Sequence, residues 1–277
     1  MIAMVESGRL GNQIFQYASL RAVSRPGERL TLLGFDQLRA TFDGIDARFV
    51  HIESNPLKHL VSLDYDRVAR AVRYLPGVGI LTEDDAATPQ RSPGSTVALA
   101  RPAWFQSGIA LDSPALARMT VKPQFVENAR AFLASSGLAA ESTAFVHVRA
   151  GDYRTWPSPD YPAILSPAWY RERIAELRAL RPDLAVVAIG DEPRYSHEVV
   201  DGLDSAFVYP ADYASEFALM TICSAGVLSA SSFAYWGAWF ARRSTPDAPM
   251  LGAQFWAGHA RHEWYPPHIQ ADFITYR

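Results

Sequence analysis

The alternation of short apolar runs with helical patterns in the second half of the chain constrains its fold most. The apolar runs cover residues 144–148, 184–189, 206–209, 227–230 and 249–253. Apolar runs of this length are typical of strands that are buried on both faces. Helical patterns cover residues 166–183, 213–226 and 231–243. This alternation predicts a mostly parallel sheet with helices on both faces.

The helical pattern at 213–226 contains the single cysteine of the chain, Cys223, and ends at Gly226. Since glycine is favoured just after a helix, we expect this helix to stop at Gly226. One cysteine excludes an intrachain disulfide framework and fits a reducing compartment. Cys223 has no basic neighbour in an apolar run, so we interpret it as a buried packing residue and not as a nucleophile.

The first half of the chain is less regular. Residues 1–5, a helix from Leu10 to about Val23 and residues 28–35 predict one βαβ unit. Further patterns predict a polar loop within residues 82–95, a strand within 96–105 and a hinge within 107–125. The sequence therefore predicts two unequal α/β halves that join near residue 125.

Composition excludes several classes of protein. With 277 residues, of which 49% are hydrophobic and 20% charged, the chain suits a soluble globular protein. A formal net charge of −3 argues against a nucleic-acid partner. We find neither a signal-peptide pattern nor an apolar window of about 20 residues, so we expect a cytoplasmic protein without a membrane span.

The first candidate site is the stretch GRLGNQ, which directly follows the first predicted strand. Gly8 and Gly11 permit close approach of a ligand to the backbone. Asn12 and Gln13 place amide groups at a helix N-terminus, where backbone N–H groups also point outward. The glycine spacing fits neither a Walker loop nor a dinucleotide fingerprint. A ligand-binding loop and a tight turn with an amide cap both fit this spacing.

The second candidate site is VHVRAGDY at residues 146–153. On a strand, His147 and Arg149 share one face, and Asp152 follows where the strand ends. An unpaired guanidinium is costly to bury, so Arg149 should meet an anion. The anion is either a structural carboxylate such as Asp152 or a phosphate, which the fork of an arginine grips in a bidentate manner.

Two further polar turns follow predicted strands. Ser231 and Ser232 precede the helix at 231–243, and Asp191 and Glu192 follow the strand at 184–189. Hydroxyl groups at a helix start cap the helix or bind phosphate oxygens. A carboxylate at a strand end holds a ribose or base edge, or caps the following helix.

Two other patterns suggest metal binding, and we interpret neither as a metal site. Residues 64–66, Asp-Tyr-Asp, match a short motif that holds a metal–diphosphate in some glycosyltransferases, but no clear strand precedes them. We interpret them as a solvated turn. The histidines at 259, 262 and 268 lack any familiar zinc spacing.

Five segments together resemble the α-1,2-fucosyltransferases of glycosyltransferase family 11. In chain order the segments are GRLGNQIFQYA, RPAWFQS, HVRAGDY, AIGDE and SASSFAYWGAWF. They occur in the order of the family and span nearly the whole chain. Any one segment is a weak signal, whereas the ordered set is strong.

The resemblance implies an α/β fold of the GT-B type, with two Rossmann-like domains and a cleft between them. Residues 1–125 would form the acceptor-side domain, and residues 126–277 would bind the donor. The implied reaction is inverting transfer of L-fucose from GDP-β-L-fucose to the 2-hydroxyl of a terminal β-galactoside. GDP-fucose is a co-substrate, and the resemblance implies neither a metal nor another cofactor.

The resemblance also implies roles for individual residues. Arg149 would neutralise the diphosphate leaving group, and Asp152 or His147 would act as general base. The other implied contacts to the sugar nucleotide come from Gly8, Gly11, Asn12, Gln13, Asp191, Ser231, Ser232 and Phe233.

Three positions depart from the family pattern. Ala150 replaces the second arginine of R-R-G-D-Y, Ala230 replaces the asparagine of N-S-S-F, and Tyr235 replaces the first tryptophan of the W-W pair. The departures keep two alternatives open. These are a transferase that uses another nucleotide sugar on the same scaffold, and a catalytically silent protein that binds a sugar nucleotide.

Overall fold

The computed structural model describes residues 1–51, 74–101 and 103–277. The Asp-Tyr-Asp motif at 64–66 lies outside these described residues. The chain divides into two compact units, Met1–Thr120 and Val121–Arg277. The division lies five residues before the boundary expected from the sequence, because Pro123 opens a helix of the second unit and is not part of a linker.

The first unit contains a sheet whose strand order is β4-β2-β1-β7-β5-β6. Neighbouring strands are parallel except β5 and β6, which are antiparallel. The elements of this unit are β1 (Ile2–Val5), α1 (Leu10–Ala22), β2 (Leu30–Leu33), α2 (Asp36–Thr41), β3 (Phe42–Asp43), β4 (Arg48–Val50), β5 (Val78–Glu83), β6 (Pro89–Arg91) and β7 (Val97–Ala100). Strand β8 (Thr120–Val121) marks the boundary between the units.

The predicted βαβ unit is confirmed, and three other expectations for this half need correction. The polar stretch 82–95 contains β6, which pairs with β5 and forms a hairpin. The strand expected within 96–105 is limited to β7. The expected hinge is not a free linker, because Leu116 and Met119 are fully buried and two short 3₁₀ turns, Gly108–Asp112 and Leu116–Arg118, order the backbone.

The second unit contains a parallel sheet whose strand order is β13-β12-β9-β14-β15-β16. Its longer elements are α3 (Pro123–Ser135), β9 (Thr143–Val148), α4 (Pro167–Leu180), β12 (Ala185–Gly190), α5 (Pro193–Val200), β13 (Ala206–Val208), α6 (Tyr213–Ile222), β14 (Ala225–Leu228), α7 (Ser232–Ser244), β15 (Met250–Gly252) and β16 (Thr275–Tyr276). A short hairpin, β10 (Pro157–Ser158) and β11 (Tyr161–Pro162), follows β9. The predicted parallel sheet is thus confirmed.

The core of the second unit forms where the apolar runs meet the helices. Every residue of β9 is buried, which explains the absence of polar alternation in its sequence. On α4, the residues Tyr170, Ile174 and Leu177 are at most 1% exposed and cover one face of the sheet. Cys223 is 1% exposed, so its expected burial is confirmed, and burial raises the pKa of its thiol.

The expectation that α6 stops at Gly226 is wrong. The helix ends at Ile222, and Gly226 lies inside β14. A Cβ at position 226 would lie 2.3 Å from Cζ of Phe145 on the neighbouring strand. Glycine is needed there because the Phe145 ring packs against the strand backbone, and not because a helix ends.

The strand order creates a topological switch point in each unit. In the first unit β1 lies between β2 and β7, and in the second unit β9 lies between β12 and β14. The chain leaves each first strand toward one side of the sheet and later returns on the other side. Ligands of open parallel sheets bind at such points, outside the carboxyl ends of the strands.

Among the described residues, we find no helix that combines the length and apolarity required to cross a bilayer.

Candidate functional site

The switch point of the second unit is formed by the turns that follow β9 and β14. A hydrogen bond between His147 Nδ1 and Ser229 Oγ, 2.6 Å long, joins the end of β9 to the turn after β14. The backbone N–H of Ser229 also donates to the carbonyl of His147 at 3.1 Å. Both turns therefore lie at one carboxyl edge, where the motifs HVRAGDY and SASSF meet.

Arg149 stands at this edge between two carboxylates. Its Nη2 lies 2.6 Å from Asp152 Oδ1, and its Nη1 lies 3.2 Å from Asp191 Oδ2. The Arg149 side chain is 16% exposed, whereas that of Asp152 is 60% exposed. The structural ion pair considered from the sequence is therefore present. Because Asp152 is well solvated, its pairing with Arg149 is weak and is open to exchange for another anion.

Asp191 holds the backbone of the turn after β9. Its Oδ1 accepts the backbone N–H of Ala150 at 2.9 Å. A Cβ at Gly151 would lie 2.6 Å from Asp191 Oδ2, so this turn requires glycine for close approach. In this structure Asp191 thus fixes the position of Arg149 through both the guanidinium and the adjoining peptide.

His147 is sealed inside the unit. Its residue exposure is 5%, and its ring centroid lies 5.4 Å from that of Phe233. Burial, together with the positive charge of Arg149, lowers the pKa of His147 to about 3. The imidazole is therefore neutral at physiological pH, and its Nδ1 is engaged by Ser229.

The serine turn caps a helix, as one of its two interpretations predicted. Ser231 is the N-cap residue of α7, and its hydroxyl accepts the backbone N–H of Phe233 at 3.2 Å. The hydroxyl of Tyr153 donates to the carbonyl of Ala230 at 2.7 Å, and burial raises the pKa of Tyr153. Ser232, the first residue of α7, follows at the same edge. The turn is thus rigid and directs the N-terminus of α7 toward the edge that carries Arg149.

Sequence reasoning missed Glu216 as a residue of this edge. It lies in the first turn of α6, one turn after the N-cap Asp212. Burial raises the pKa of Glu216 to about 8; the backbone N–H of Ala211 opposes this shift, and the charges of Asp212 and Asp191 add to it. The sequence signal was a glutamate one turn into a helix that follows a strand, and that position is too common to single out.

The switch point of the first unit brings the motifs GRLGNQ and RPAWFQS together. Gly8 has φ +87°, and a Cβ there would lie 2.4 Å from Asn12 Nδ2. The side-chain amide of Gln106, in the segment after β7, donates to Asn12 Oδ1 at 2.8 Å. GRLGNQ and RPAWFQS therefore meet at the carboxyl edge of β1 and β7, and Gln106 orients the Asn12 amide.

Gln13 and Gly11 are turned into the first unit. Gln13 is 1% exposed, and its Nε2 donates to Glu6 Oε2 at 2.5 Å. Its Oε1 accepts the backbone N–H of Leu38 at 2.8 Å. Gly11 is a buried residue of the first turn of α1. In this structure the Gln13 amide joins α1 to Glu6 and to α2.

The three departures from the family pattern occupy buried positions. Ala150 is 0% exposed, Ala230 is 2% exposed and Tyr235 is 1% exposed. The backbone N–H of Ala150 bonds to Asp191, and the backbone carbonyl of Ala230 bonds to Tyr153, so these alanines contribute to the site through their peptides.

In the described part of the chain, no group of three or more His, Cys, Asp or Glu side chains is placed to hold a metal ion.

Solved structures of low sequence identity share this fold. A glycosyltransferase of family 9 from Veillonella parvula superposes with a TM-score of 0.52 at 13% identity, covering 91% of this chain and 80% of the other. POFUT1 in complex with GDP gives a TM-score of 0.52 at 13% identity, over 87% of this chain and 94% of the other. NodZ α-1,6-fucosyltransferase soaked with GDP-fucose gives 0.50 at 13% identity, over 86% and 92%. The fold is of the GT-B type, with two Rossmann-like units.

Sequence comparison finds proteins to which this chain is similar. Galactoside alpha-(1,2)-fucosyltransferase 2 of Rattus norvegicus is 23% identical over 271 residues, which cover 91% of this chain and 72% of the rat protein. Residues 120–253, which include both turns of the second switch point, match the family model described as Glycosyl transferase family 11. The polar turns at this sheet edge therefore lie in the part of the chain that is similar to glycosyltransferase family 11.

Proposed function

We propose that this chain is an inverting glycosyltransferase that transfers L-fucose from GDP-β-L-fucose to the 2-hydroxyl of a terminal β-galactoside. The rat relative is named for galactoside α-1,2 transfer, and a NodZ crystal was soaked with GDP-fucose. These names support the choice of donor and acceptor. Neither a metal nor another cofactor enters the proposed reaction.

The observation that carries the proposal is the position of Arg149 at the switch point of the second unit. Its guanidinium is held at the carboxyl edge between β9 and β14, where ligands of parallel sheets bind. The N-terminus of α7 faces the same edge and adds the positive end of its helix dipole. A fixed cation beside a helix N-terminus suits a diphosphate.

The carboxylate partners of Arg149 have different parts in this scheme. Asp191 keeps its bond to the Ala150 peptide and holds the guanidinium in place. The exposed Asp152 gives up Nη2 to a diphosphate oxygen when the donor binds. Arg149 then faces the oxygen on which negative charge grows as the sugar–phosphate bond breaks, so it acts mainly on the transition state.

In the reaction the acceptor 2-hydroxyl attacks C1 of the fucosyl group. The bond from C1 to oxygen forms, the bond from C1 to the diphosphate oxygen breaks, and the hydroxyl proton passes to a base. Asp152 is favoured as that base, because it is solvent-exposed and is released when Arg149 turns to the diphosphate. His147 is the weaker candidate, because it is buried and bonded to Ser229. We assign His147 to positioning the turn after β14.

The other residues of the second unit that the sequence predicts to contact the donor lie at the same carboxyl edge. Ser231 and Ser232 bring the start of α7 to the phosphates, and Phe233 packs on His147 beneath them. Asp191 lies at the end of β12, the position at which a carboxylate binds ribose in doubly wound sheets. In the first unit, the Asn12 amide and the Gly8 turn are proposed to contact diphosphate or sugar oxygens.

The test is a transfer assay on the purified chain with a panel of nucleotide sugars and lactose as acceptor. We expect product only with GDP-fucose, and NMR of the product should show an α-1,2 linkage. Added EDTA should leave the rate unchanged. Transfer from GDP-mannose without transfer from GDP-fucose would support the alternative donor. Tight binding of GDP without any transfer would support a catalytically silent binding protein.

A further inference from the structure

A group of aromatic rings lies next to Arg149, on the β15 side of the second switch point. The Arg149 guanidinium carbon is 5.4 Å from the centroid of the Tyr153 ring. The Tyr153 ring lies 4.9 Å from that of Trp156, which lies 5.6 Å from that of Tyr265. Trp156 follows β9 and Tyr265 follows β15, and parallel strands deliver both residues to the same carboxyl edge.

The outer two rings are accessible, whereas the inner ring is not. Tyr153 is 8% exposed and is fixed by its hydrogen bond to the carbonyl of Ala230. Trp156 and Tyr265 are both half-buried, so each presents part of its ring to solvent. They do not belong to the buried core of the unit, and two partly open rings side by side form a small apolar surface next to the reacting edge.

The backbone around this surface is firmly held. The N–H of Ala163 donates to the carbonyl of Trp156 at 2.7 Å, which closes the β10–β11 hairpin. The N–H of Ala257 donates to the carbonyl of Tyr265 at 3.1 Å. The hairpin packs on the turn His259–Arg261, and Arg261 lies 5.3 Å above the ring of Tyr161. The rings are therefore presented by a pre-formed surface that has polar groups at its border.

We propose that Trp156 and Tyr265 bind a sugar ring of the acceptor glycan. Aromatic faces carry negative charge density that attracts the C–H groups on the apolar face of a pyranose. The position of these two rings favours the acceptor, and not the donor, as the sugar that they bind. The diphosphate and the fucosyl group attached to it need the space directly at Arg149, whereas Trp156 lies beyond the Tyr153 ring, one cation–π contact and one ring–ring contact away from Arg149. This inference rests on the proposed function for the identity of the acceptor.

The position also argues against a nucleobase on these rings. In a sheet of this order, a nucleotide binds at the ends of the strands that come first in the chain. A carboxylate after the second of these strands binds its ribose. That carboxylate is Asp191 at the end of β12, on the opposite side of β9 from β15. The aromatic surface therefore lies on the side of β9 that faces away from the proposed ribose contact. The sequence placed the acceptor contacts only in the first half of the chain.

The test compares Trp156→Leu and Tyr265→Leu with the parent protein in the transfer assay. Leucine keeps apolar volume but removes the ring. Since an aromatic contact contributes about 0.5–1.5 kcal/mol, we expect each variant to raise the KM for lactose by roughly two- to tenfold, and the double variant to raise it further. The KM for GDP-fucose and the Kd for GDP should stay unchanged, and Trp156→Phe should restore most of the affinity for lactose.

Trp239→Leu is the matched control. Trp239 is also a half-buried tryptophan beside an arginine, with Arg243 at 5.5 Å, but it lies two turns into α7, away from the carboxyl edge at which α7 begins. The substitution Trp239→Leu should leave the KM for lactose unchanged. An unchanged KM in both ring variants would overturn the inference, as would an equal loss of GDP affinity, which would assign the rings to the nucleotide.

A direct measurement separates this inference from the proposed donor. Saturation-transfer NMR of lactose with the parent and with Trp156→Leu reports glycan binding without turnover. A lactose signal that is present in the parent and lost in the variant supports the inference, even if the parent uses a donor other than GDP-fucose. No lactose signal in the parent, or the same signal in both proteins, would overturn it. Melting curves of each variant confirm that the comparison is between folded proteins.

Discussion

The substitution Arg149→Ala tests the proposed reaction most directly. In this structure Nη1 and Nη2 of this side chain bind two carboxylates, and in the proposed complex Nη2 donates to the diphosphate while Nη1 stays with Asp191. A hydrogen bond to a charged group contributes about 1.5–3 kcal/mol. Since about 1.4 kcal/mol corresponds to a tenfold change in rate, we expect kcat/KM to fall by roughly one to two orders of magnitude.

The fold should survive this change. Asp152 is 60% exposed, so the lost ion pair contributes little to stability. Asp191 keeps the N–H of Ala150 as a partner after the guanidinium is gone. We therefore expect unfolding free energy to fall by about 1 kcal/mol, which a melting curve can measure. Because the diphosphate gains charge as its bond to sugar breaks, kcat should fall more than the affinity for GDP.

Two further variants complete the experiment. Arg149→Lys keeps the charge but not the two-pronged geometry, so its rate should lie between those of the parent and Arg149→Ala. Arg154→Ala is the matched control, because Arg154 lies on the same turn and pairs with Glu192 at 2.7 Å, but its side chain is 50% exposed. Arg154→Ala should keep the parental rate. If Arg149→Ala also retains turnover within about threefold of the parent, Arg149 is a structural residue and the proposed role is wrong.

Three other substitutions test the local structure. Because burial raises the folded-state pKa of Glu216 to about 8, its ionisation costs stability as pH rises from the unfolded pKa near 4.5. Glu216→Gln should therefore match the parent at about pH 5 and melt at a higher temperature than the parent at about pH 9; equal melting points at both pH values would contradict this. Tyr153→Phe leaves a buried carbonyl without its donor and should cost about 1–3 kcal/mol in urea unfolding, whereas a neutral effect would mean that water replaces the hydroxyl. Gly8→Ala combines a φ of +87° with a Cβ 2.4 Å from Asn12 Nδ2, so it should destabilise the protein more than Gly27→Ala, where φ is +72° and no atom lies within 4 Å. Equal losses of stability in these two variants would show that the strain of a positive φ, and not the contact with Asn12, determines the effect.

The sequence predicted the strands of the second unit well because their pattern is local. A run such as residues 144–148 has no polar position, and only a strand buried on both faces satisfies it. Helix α4 was equally readable, since Pro167 at its start and three buried residues at helical spacing agree. The polar turns after β9 and β14 could then be placed at one edge, because parallel strands end together.

The errors arose where a residue's environment comes from distant parts of the chain. Gly226 is interpreted locally as a helix stop, but the ring of Phe145 on the neighbouring strand requires glycine within β14. For Gln13 the local sequence leaves a ligand contact and an amide cap open, and only the structure shows that Glu6 and the backbone of Leu38 engage both ends of its amide. The shifted pKa of Glu216 depends on burial, which no neighbour in sequence reports.

The sequence by itself determined the parallel sheets, the polar turns at their carboxyl edges and the resemblance of these turns to glycosyltransferase family 11. Tertiary structure alone decided which polar groups of these turns are enclosed and which remain at the edge. His147 is enclosed by Ser229 and Phe233, whereas Arg149 stays at the edge between Asp152 and Asp191. The physical reason is that desolvation and charge pairing depend on neighbours in space, and most of these neighbours lie on other strands.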